Sequence, residues 1–379
     1  MVFLFCILLS ISCQNPRNHD RSSAQTELQS VLDTLVKSQE IPGLNLSYIG
    51  KNGKVISYSS GYSDLVKRER MDSSKIMFSG SIGKTYAAAL LMKYHEYGRI
   101  NLDEKFLSYF PEETWLQRLA NIQDISIRML LQHTSGLPRY VMKEEIWEML
   151  EKDPDKVWTY RERLAVIFDE KPVHAPGEAW YYSDTNYILL GMLLEKLSGK
   201  DYYVLLEEEI LRPFSLGSTF ASLSRDIPNL PAGYSRLPEM FRMPGEVVVD
   251  GRYVFNPQLE WTGGGLACTT PDLAKWASIY YGGEIFSDSI LEMMCTPTLA
   301  GSNIAPWTSY GSGSFIFETR HGKAYGHTGF VPGFNSIFAC FPEKNLYMAL
   351  QSNCDYAEER IPLIEYLSVI LDAMEIDVK

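Results

Sequence analysis

Two strand-forming regions at opposite ends of the chain, separated by a long helical middle, constrain its fold more than any other feature. Leu44 to Ile49 and Val55 to Ser59 alternate around Lys51-Asn52-Gly53-Lys54. An Asn-Gly pair between alternating runs predicts a hairpin. Near the other end, Tyr310 to Phe317, Gly333 to Phe341 and Leu346 to Gln351 read as strands, ahead of a helix from about Glu358 to Met374. Between them, helical patterns follow Ser81 and cover Ser126 to Gln132, Lys143 to Glu151, Tyr160 to Phe168, Thr185 to Leu197 and Pro271 to Tyr280. This order predicts an α/β (α+β) fold in which one antiparallel sheet is built from both termini, flanked by helices, with a mostly helical region inserted. Residues 26–375 are expected to form a single domain, with a sheet part (26–75 plus 250–375) and a helical part (76–249). A cleft between the two parts is the expected site.

Composition narrows the function classes. With 45% hydrophobic and 22% charged residues over 379 positions, the chain has the balance of a globular protein with a sizeable core. Its 47 acidic against 35 basic residues give a net charge of -12, and no Lys/Arg block offers a phosphate-binding surface, so nucleic acid is not an expected partner. Cys268, Cys295, Cys340 and Cys354 form no Cys-x-x-Cys pair and no zinc-spaced cluster. No metal or cofactor is called for, and these thiols are expected to be buried and inert. The predicted turn Pro342 to Asn345 sets Cys340 near Leu346 rather than opposite Cys354.

Residues 1–13 make a signal-like segment: Met1 to Ser12 are apolar and end at Cys13, too short a run to span a bilayer, and Gln14 to Gln25 is a polar linker expected to be without structure. The segment resembles a bacterial lipoprotein signal, in which Cys13 would carry the lipid, with a plain secretory signal as the alternative. A cell-envelope or periplasmic location follows as an expectation, with membrane contact only through that anchor.

The chemistry centres on Ser81-Ile82-Gly83-Lys84. Ser81 is the only serine with a lysine three residues on, and it opens the apolar run Ala87 to Met92, which predicts a buried helix closing at Gly98. Positions i and i+3 share a helix face, so the Lys84 amine can lie beside the Ser81 hydroxyl, which needs a neighbour to take its proton before it can attack. Two rival motifs fail. A P-loop ending at Gly83-Lys84-Thr85 needs glycine at position 78, which is Phe78, and a Gly-x-Ser-x-Gly elbow needs glycine at position 79, which is Ser79.

Tyr182-Ser183-Asp184 opens the helix that begins near Thr185, and His327-Thr328-Gly329 lies in a glycine-rich strand region. With Ser81-x-x-Lys84, these segments in this order resemble the serine β-lactamase-like family of class C β-lactamases, D-alanyl-D-alanine carboxypeptidases and related esterases. Leu131 to Pro138, Pro176-Gly177-Glu178, Gly263-Gly264-Gly265-Leu266 and Tyr310 to Gly313 look like further landmarks, so the similarity covers about residues 40 to 355.

The resemblance implies that Ser81 forms an acyl-ester with a small ester, amide or D-amino-acid peptide, with Lys84 and Tyr182 managing protons. It assigns the oxyanion pocket to the backbone N–H groups of Ser81 and Phe330, and substrate contacts to Asp184, His327, Thr328 and Gly329. Tyr182, a free phenol of pKa about 10, is expected to be brought down by the Lys84 ammonium. Asp184 stands where the family usually has asparagine: it either holds Lys84 charged, leaving Tyr182 as the base, or merely caps its helix. His327 replaces the usual lysine, so it grips a substrate carboxylate less firmly, favouring carboxypeptidase or esterase activity over β-lactam hydrolysis. His133 reads as a structural loop residue. The alternative function is a non-catalytic or acylation-only envelope receptor for peptidoglycan fragments or penicillin.

Overall fold

The computed structural model describes residues 16–237, 239–298, 308–355 and 361–376. The signal-like segment and Cys13 lie outside the described residues.

The strands, in chain order, are β1 (Gly43–Ile49), β2 (Val55–Asp64), β3 (Glu69–Arg70), β4 (Met77–Phe78), β5 (Thr219–Ala221), β6 (Val248–Val249), β7 (Arg252–Tyr253), β8 (Leu266–Cys268), β9 (Thr308–Tyr310), β10 (Phe315–Thr319), β11 (Gly322–Val331), β12 (Phe334–Phe341) and β13 (Leu346–Ser352). Eight form one sheet in the order β3-β2-β1-β13-β12-β11-β10-β9. The two chain ends meet where β1 pairs antiparallel with β13, from Leu44 opposite Ser352 to Ile49 opposite Tyr347. The expected mixed fold with a two-ended antiparallel sheet is therefore present.

Period-two alternation divides the core between the two sheet faces. On β12, Phe334, Phe338 and Cys340 join one apolar cluster, while Ile337, Ala339 and Phe341 join another. Both faces are covered, so β12 is buried along its whole length. Helix α1 (Pro16–Ser38) covers one face through Leu28, Leu32 and Leu35, beside the C-terminal helix Leu363–Ile376. This revises the polar linker, because the helix reaches back to Pro16. No residue after Pro16 breaks a helix, and proline is tolerated in a first turn.

On the opposite face lie α2 (Gly83–Glu96), α3 (Ile127–Leu131), α4 (Glu144–Lys152), α5 (Tyr160–Ala165), α6 (Asp184–Ser198), α7 (Tyr202–Leu206), α8 (Thr270–Tyr281) and α9 (Asp288–Met294). None of the described helices is long and apolar enough to cross a membrane.

Two boundaries differ from expectation. Tyr310 to Phe317 is two strands, not one, because the small residues Gly311 to Ser314 turn the chain and Phe315 pairs back onto Tyr310. The last helix begins at Leu363, just after Pro362, and the expected start at Glu358 lies outside the described residues. The Cys340 register is close to expectation, with Cys340 opposite Tyr347 and Phe341 opposite Leu346. All four described cysteines are free, and burial pushes each thiol up, to about 12 for Cys295 and Cys340. Cys295 is only partly buried.

Two features prepare the site. β4 and β5 both pair with β8 in a small separate sheet, and the Ser79 N–H extends it with a 2.9 Å bond to the Leu266 carbonyl. β11 pairs with β10 only as far as Gly326, so its residues 327–331 present a free edge toward the turn that carries Ser81.

Candidate active site

Ser81 sits in a 3-10 turn, Gly80–Ile82, that runs directly into α2. Gly80 has φ 52°, and a Cβ there would stand 2.5 Å from the Phe330 nitrogen, so only glycine lets β11 come this close. Ser81 and Phe330 both line the same cleft. Ser336 Oγ also donates to the Ser79 carbonyl at 2.8 Å, tying the turn to β12.

Lys84, one helical turn on, is fully buried. Its ammonium donates three hydrogen bonds: to Ser81 Oγ at 3.0 Å, to Asp184 Oδ1 at 2.8 Å and to the Gly263 carbonyl at 2.8 Å. Burial alone would push its pKa down, but Asp184, Tyr182 and Glu260 outweigh that and hold it above the ordinary lysine value. Lys84 is a cation with all three protons committed, and it has no lone pair with which to take the Ser81 proton.

Asp184 is the first residue of α6, yet its side chain does not cap the helix. Oδ1 binds Lys84, while Oδ2 accepts from Arg139 Nε at 3.0 Å and Nη2 at 2.9 Å. The two cations outweigh the cost of burial and hold the carboxyl far below the usual range. Of the two readings of Asp184, the ion pair is present. Both oxygens are engaged by cations, and an ionised carboxylate can only accept, so Asp184 has no proton to donate to a substrate carbonyl although it lines the cleft. Arg139 was not singled out in the sequence. It follows the landmark Gly136-Leu137-Pro138, and only the fold shows that it reaches Asp184.

Tyr182 packs its ring 4.3 Å from that of His133 and stacks on Phe315, with the Lys84 ammonium 5.1 Å from its ring centroid. Burial pushes its phenol up and Asp184 adds to this. The charge of Lys84 and a hydrogen bond with Ser81 pull it down without prevailing. The expectation of a lowered phenol is therefore overturned: the resting side chain is a protonated phenol, because desolvation disfavours the phenolate more than one already paired ammonium stabilises it. His133 is a positioning residue. Its Nδ1 accepts from the Ser183 backbone N–H at 3.2 Å and from Asn186 Nδ2 at 2.9 Å, which fixes the segment holding Tyr182.

The third motif divides. His327 is fully buried, with Nδ1 2.6 Å from the Thr328 carbonyl and Nε2 3.2 Å from the Tyr310 hydroxyl. A carbonyl can only accept, so Nδ1 carries the proton and Nε2 accepts from Tyr310. Burial pushes the imidazole down to about 3. His327 is a neutral structural histidine here, which corrects its expected grip on a carboxylate. A Cβ on Gly329 would collide with the Ser79 carbonyl at 1.8 Å, so only glycine lets β11 pack this closely against the segment before Ser81. Thr328 and Phe330 do line the cleft.

That cleft, about 470 Å³, is bounded by Ser81, Tyr182, Asp184, Arg139 and Glu260 on its polar side. Trp147, Trp180, Phe241, Phe315 and Phe330 contribute most of its apolar wall. Glu260 was also missed in the sequence. It belongs to the turn Pro257–Gly263, where Trp261 adopts φ 40° and ψ -123°, a strained backbone that costs about 1–3 kcal/mol. Buried Arg163 holds this turn by donating to the carbonyls of Trp158 (2.8 Å), Gln258 (2.6 Å) and Leu259 (2.7 Å). Thr262 Oγ1 donates to the Tyr187 carbonyl at 2.7 Å. Among the described residues, no group of three or more His, Cys, Asp or Glu is placed to hold a metal ion.

Comparison with known proteins agrees with this geometry. The chain is 24% identical over 372 residues to penicillin-binding protein 4* of Bacillus subtilis, covering 96% of this chain and 76% of that protein. It is 24% identical over 358 residues to protein flp of Staphylococcus aureus, covering 92% of this chain and 66% of that protein's length. Among solved structures, the D-amino acid amidase of Ochrobactrum anthropi superposes with a TM-score of 0.81 at 23% identity, over 94% of this chain and all of that one. The D-stereospecific amidohydrolase of a Streptomyces species gives 0.77 at 24% identity, over 92% of this chain and 98% of that one. At these identities the structural likeness establishes the fold. The beta-lactamase family model matches residues 28–369, and the chain belongs to that family.

Proposed function

We propose that this protein is a serine hydrolase working through an acyl-enzyme on small amides or esters with an apolar acyl group, such as D-amino acid amides. The observation that carries the reading is the Ser81 hydroxyl, 3.0 Å from an ammonium fixed by two further bonds, at the mouth of an aromatic cleft. The aromatic wall suits an apolar acyl side chain. A neutral, buried His327 supplies no cation for a carboxylate on the leaving side, which favours an amide or ester over a free C-terminal peptide or a penicillin. The amidase and amidohydrolase neighbours support the same class. A place in the cell envelope is proposed from the signal-like segment alone.

In acylation, Ser81 Oγ attacks the carbonyl carbon and its proton passes to the Tyr182 oxygen, while the phenol gives its own proton to the leaving nitrogen or oxygen. The C–N or C–O bond then breaks, with no net charge moved onto Tyr182. Lys84 remains a cation throughout, orienting Ser81 and favouring negative charge developing on either oxygen. The N–H groups of Ser81 and Phe330 receive the oxyanion, a contribution of about 3 kcal/mol for each donor.

Intact-mass analysis after exposure to a fluorophosphonate and, separately, to a labelled penicillin tests the reading. One fluorophosphonate adduct is expected on wild type and none on Ser81→Ala, with little or no penicillin adduct. An unlabelled wild type would refute the reading. Stable labelling by penicillin with no turnover of esters or amides would favour the acylation-only receptor.

A further inference from the structure

Acylation as described leaves the water that must release the product without a base. Lys84 has no free lone pair, Asp184 is bound on both oxygens by cations, and the acceptor nitrogen of buried His327 is taken by the Tyr310 hydroxyl. One carboxyl in the cleft is uncommitted. No described residue donates a hydrogen bond to Glu260 or forms an ion pair with it.

Its position is fixed by neighbouring backbone. The place a Cβ on Gly264 would occupy is 3.1 Å from Glu260 Oε2 and 2.8 Å from both the carbon and the oxygen of the Gly80 carbonyl. The carboxyl thus stands beside the peptide that carries Ser81. A Cβ on Gly263 would likewise be within 4 Å of both Glu260 Oε2 and Lys84 Nζ. Arg163, bonded to the turn carbonyls of Gln258 and Leu259 and to that of Trp158 outside it, holds the turn in this conformation against the strain at Trp261, although nothing in the apolar core needs a carboxyl there. Strain maintained by buried polar contacts next to a nucleophile points to use rather than to packing.

We propose that Glu260 is the general base that activates the water hydrolysing the Ser81 ester, an assignment that rests on the acyl-enzyme reading above. The water oxygen bonds to the ester carbon as its proton goes to Glu260, and the oxyanion forms in the pocket of Ser81 and Phe330. When the C–Oγ bond breaks, Oγ takes the Tyr182 proton, and the proton on Glu260 restores Tyr182 through the water in the cleft. The ionisation suits the task. Burial and Asp184 push the carboxyl up to about 7, against the pull of Lys84, Arg139 and Arg163, with Tyr140, Tyr203 and Tyr253 as the remaining titratable neighbours. A base with a pKa near the working pH is the most effective.

The test follows p-nitrophenol release from p-nitrophenyl butyrate by the full chain. Glu260→Gln should keep a Ser81-dependent burst near wild-type rate, while the steady phase falls by roughly 10²–10⁴-fold and the butyryl-enzyme accumulates in the mass spectrum. Hydroxylamine, a nucleophile that attacks without losing a proton to a base, should restore turnover in Glu260→Gln more than in wild type. A merely structural role would not produce that rescue. An unchanged steady phase, or burst and steady phase falling together without rescue, overturns the assignment. If wild type shows no Ser81-dependent release at all, the acyl-enzyme reading fails and this proposal falls with it.

Discussion

Asp184 and Glu260 are two carboxyls in one cleft whose pKa values shift in opposite directions. At the start of α6, Asp184 lies between Lys84 and Arg139 and is held ionised well below the usual range. In the Pro257–Gly263 turn, Glu260 has no hydrogen-bond or ion-pair partner among the described residues, and burial pushes it up to about 7. The same functional group becomes a fixed anchor in one place and a titrating acid in the other. The difference lies in which cations the fold brings within hydrogen-bond reach, since burial opposes ionisation at both positions.

Removing the anchor should have the largest effect. Asp184→Ala leaves Lys84 and Arg139 without their shared counter-ion, and a loss of about 3–5 kcal/mol in unfolding free energy is expected from denaturant titration at pH 7. The pH dependence follows from the sign of the shift. A depressed folded-state pKa adds stability above the ordinary carboxyl value, about 3.9, and that stability is lost as pH falls through the folded value. The deficit of Asp184→Ala should therefore shrink in acid. A deficit constant from pH 7 to pH 3 would deny Asp184 its ion-pair role.

Glu260 should behave in the reverse sense. Its folded-state pKa is raised, so the fold favours the protonated form, and stability present below the ordinary value is lost as pH climbs toward about 7. Glu260→Gln should match wild type in thermal midpoint near pH 4 and exceed it by a few degrees at pH 8. Equal midpoints at both pH values would remove the contrast with Asp184.

The smallest expected effect concerns His327. With its imidazole pushed down to about 3, its ring resonances should not shift between pH 5 and 8 in a nuclear magnetic resonance titration. An inflection near 6.5 assigned to His327 would restore it as a cation in the cleft.

The two-ended sheet, the Ser81–Lys84 helix and the Tyr182 segment were legible because each depends on local signals: period-two alternation, an Asn-Gly turn, and an i, i+3 pair on one helix face. The Gly311–Ser314 turn was missed since flanking aromatic and β-branched residues made one continuous strand pattern. Arg139 and Glu260 carry no motif. Each enters the site by crossing a long stretch of sequence, 45 residues in the case of the Arg139–Asp184 pair.

What the sequence determined by itself was which residue types stand in which order: a serine a turn before a lysine, a tyrosine opening a later helix, and a histidine three residues before Phe330. What only the tertiary structure decided was protonation and facing. The neutral state of buried His327, the protonated state of Tyr182 and the raised pKa of Glu260 all depend on how much water each group loses and which charges surround it. Desolvation and Coulomb interaction act over distances set by packing, and residue order along the chain does not encode those distances.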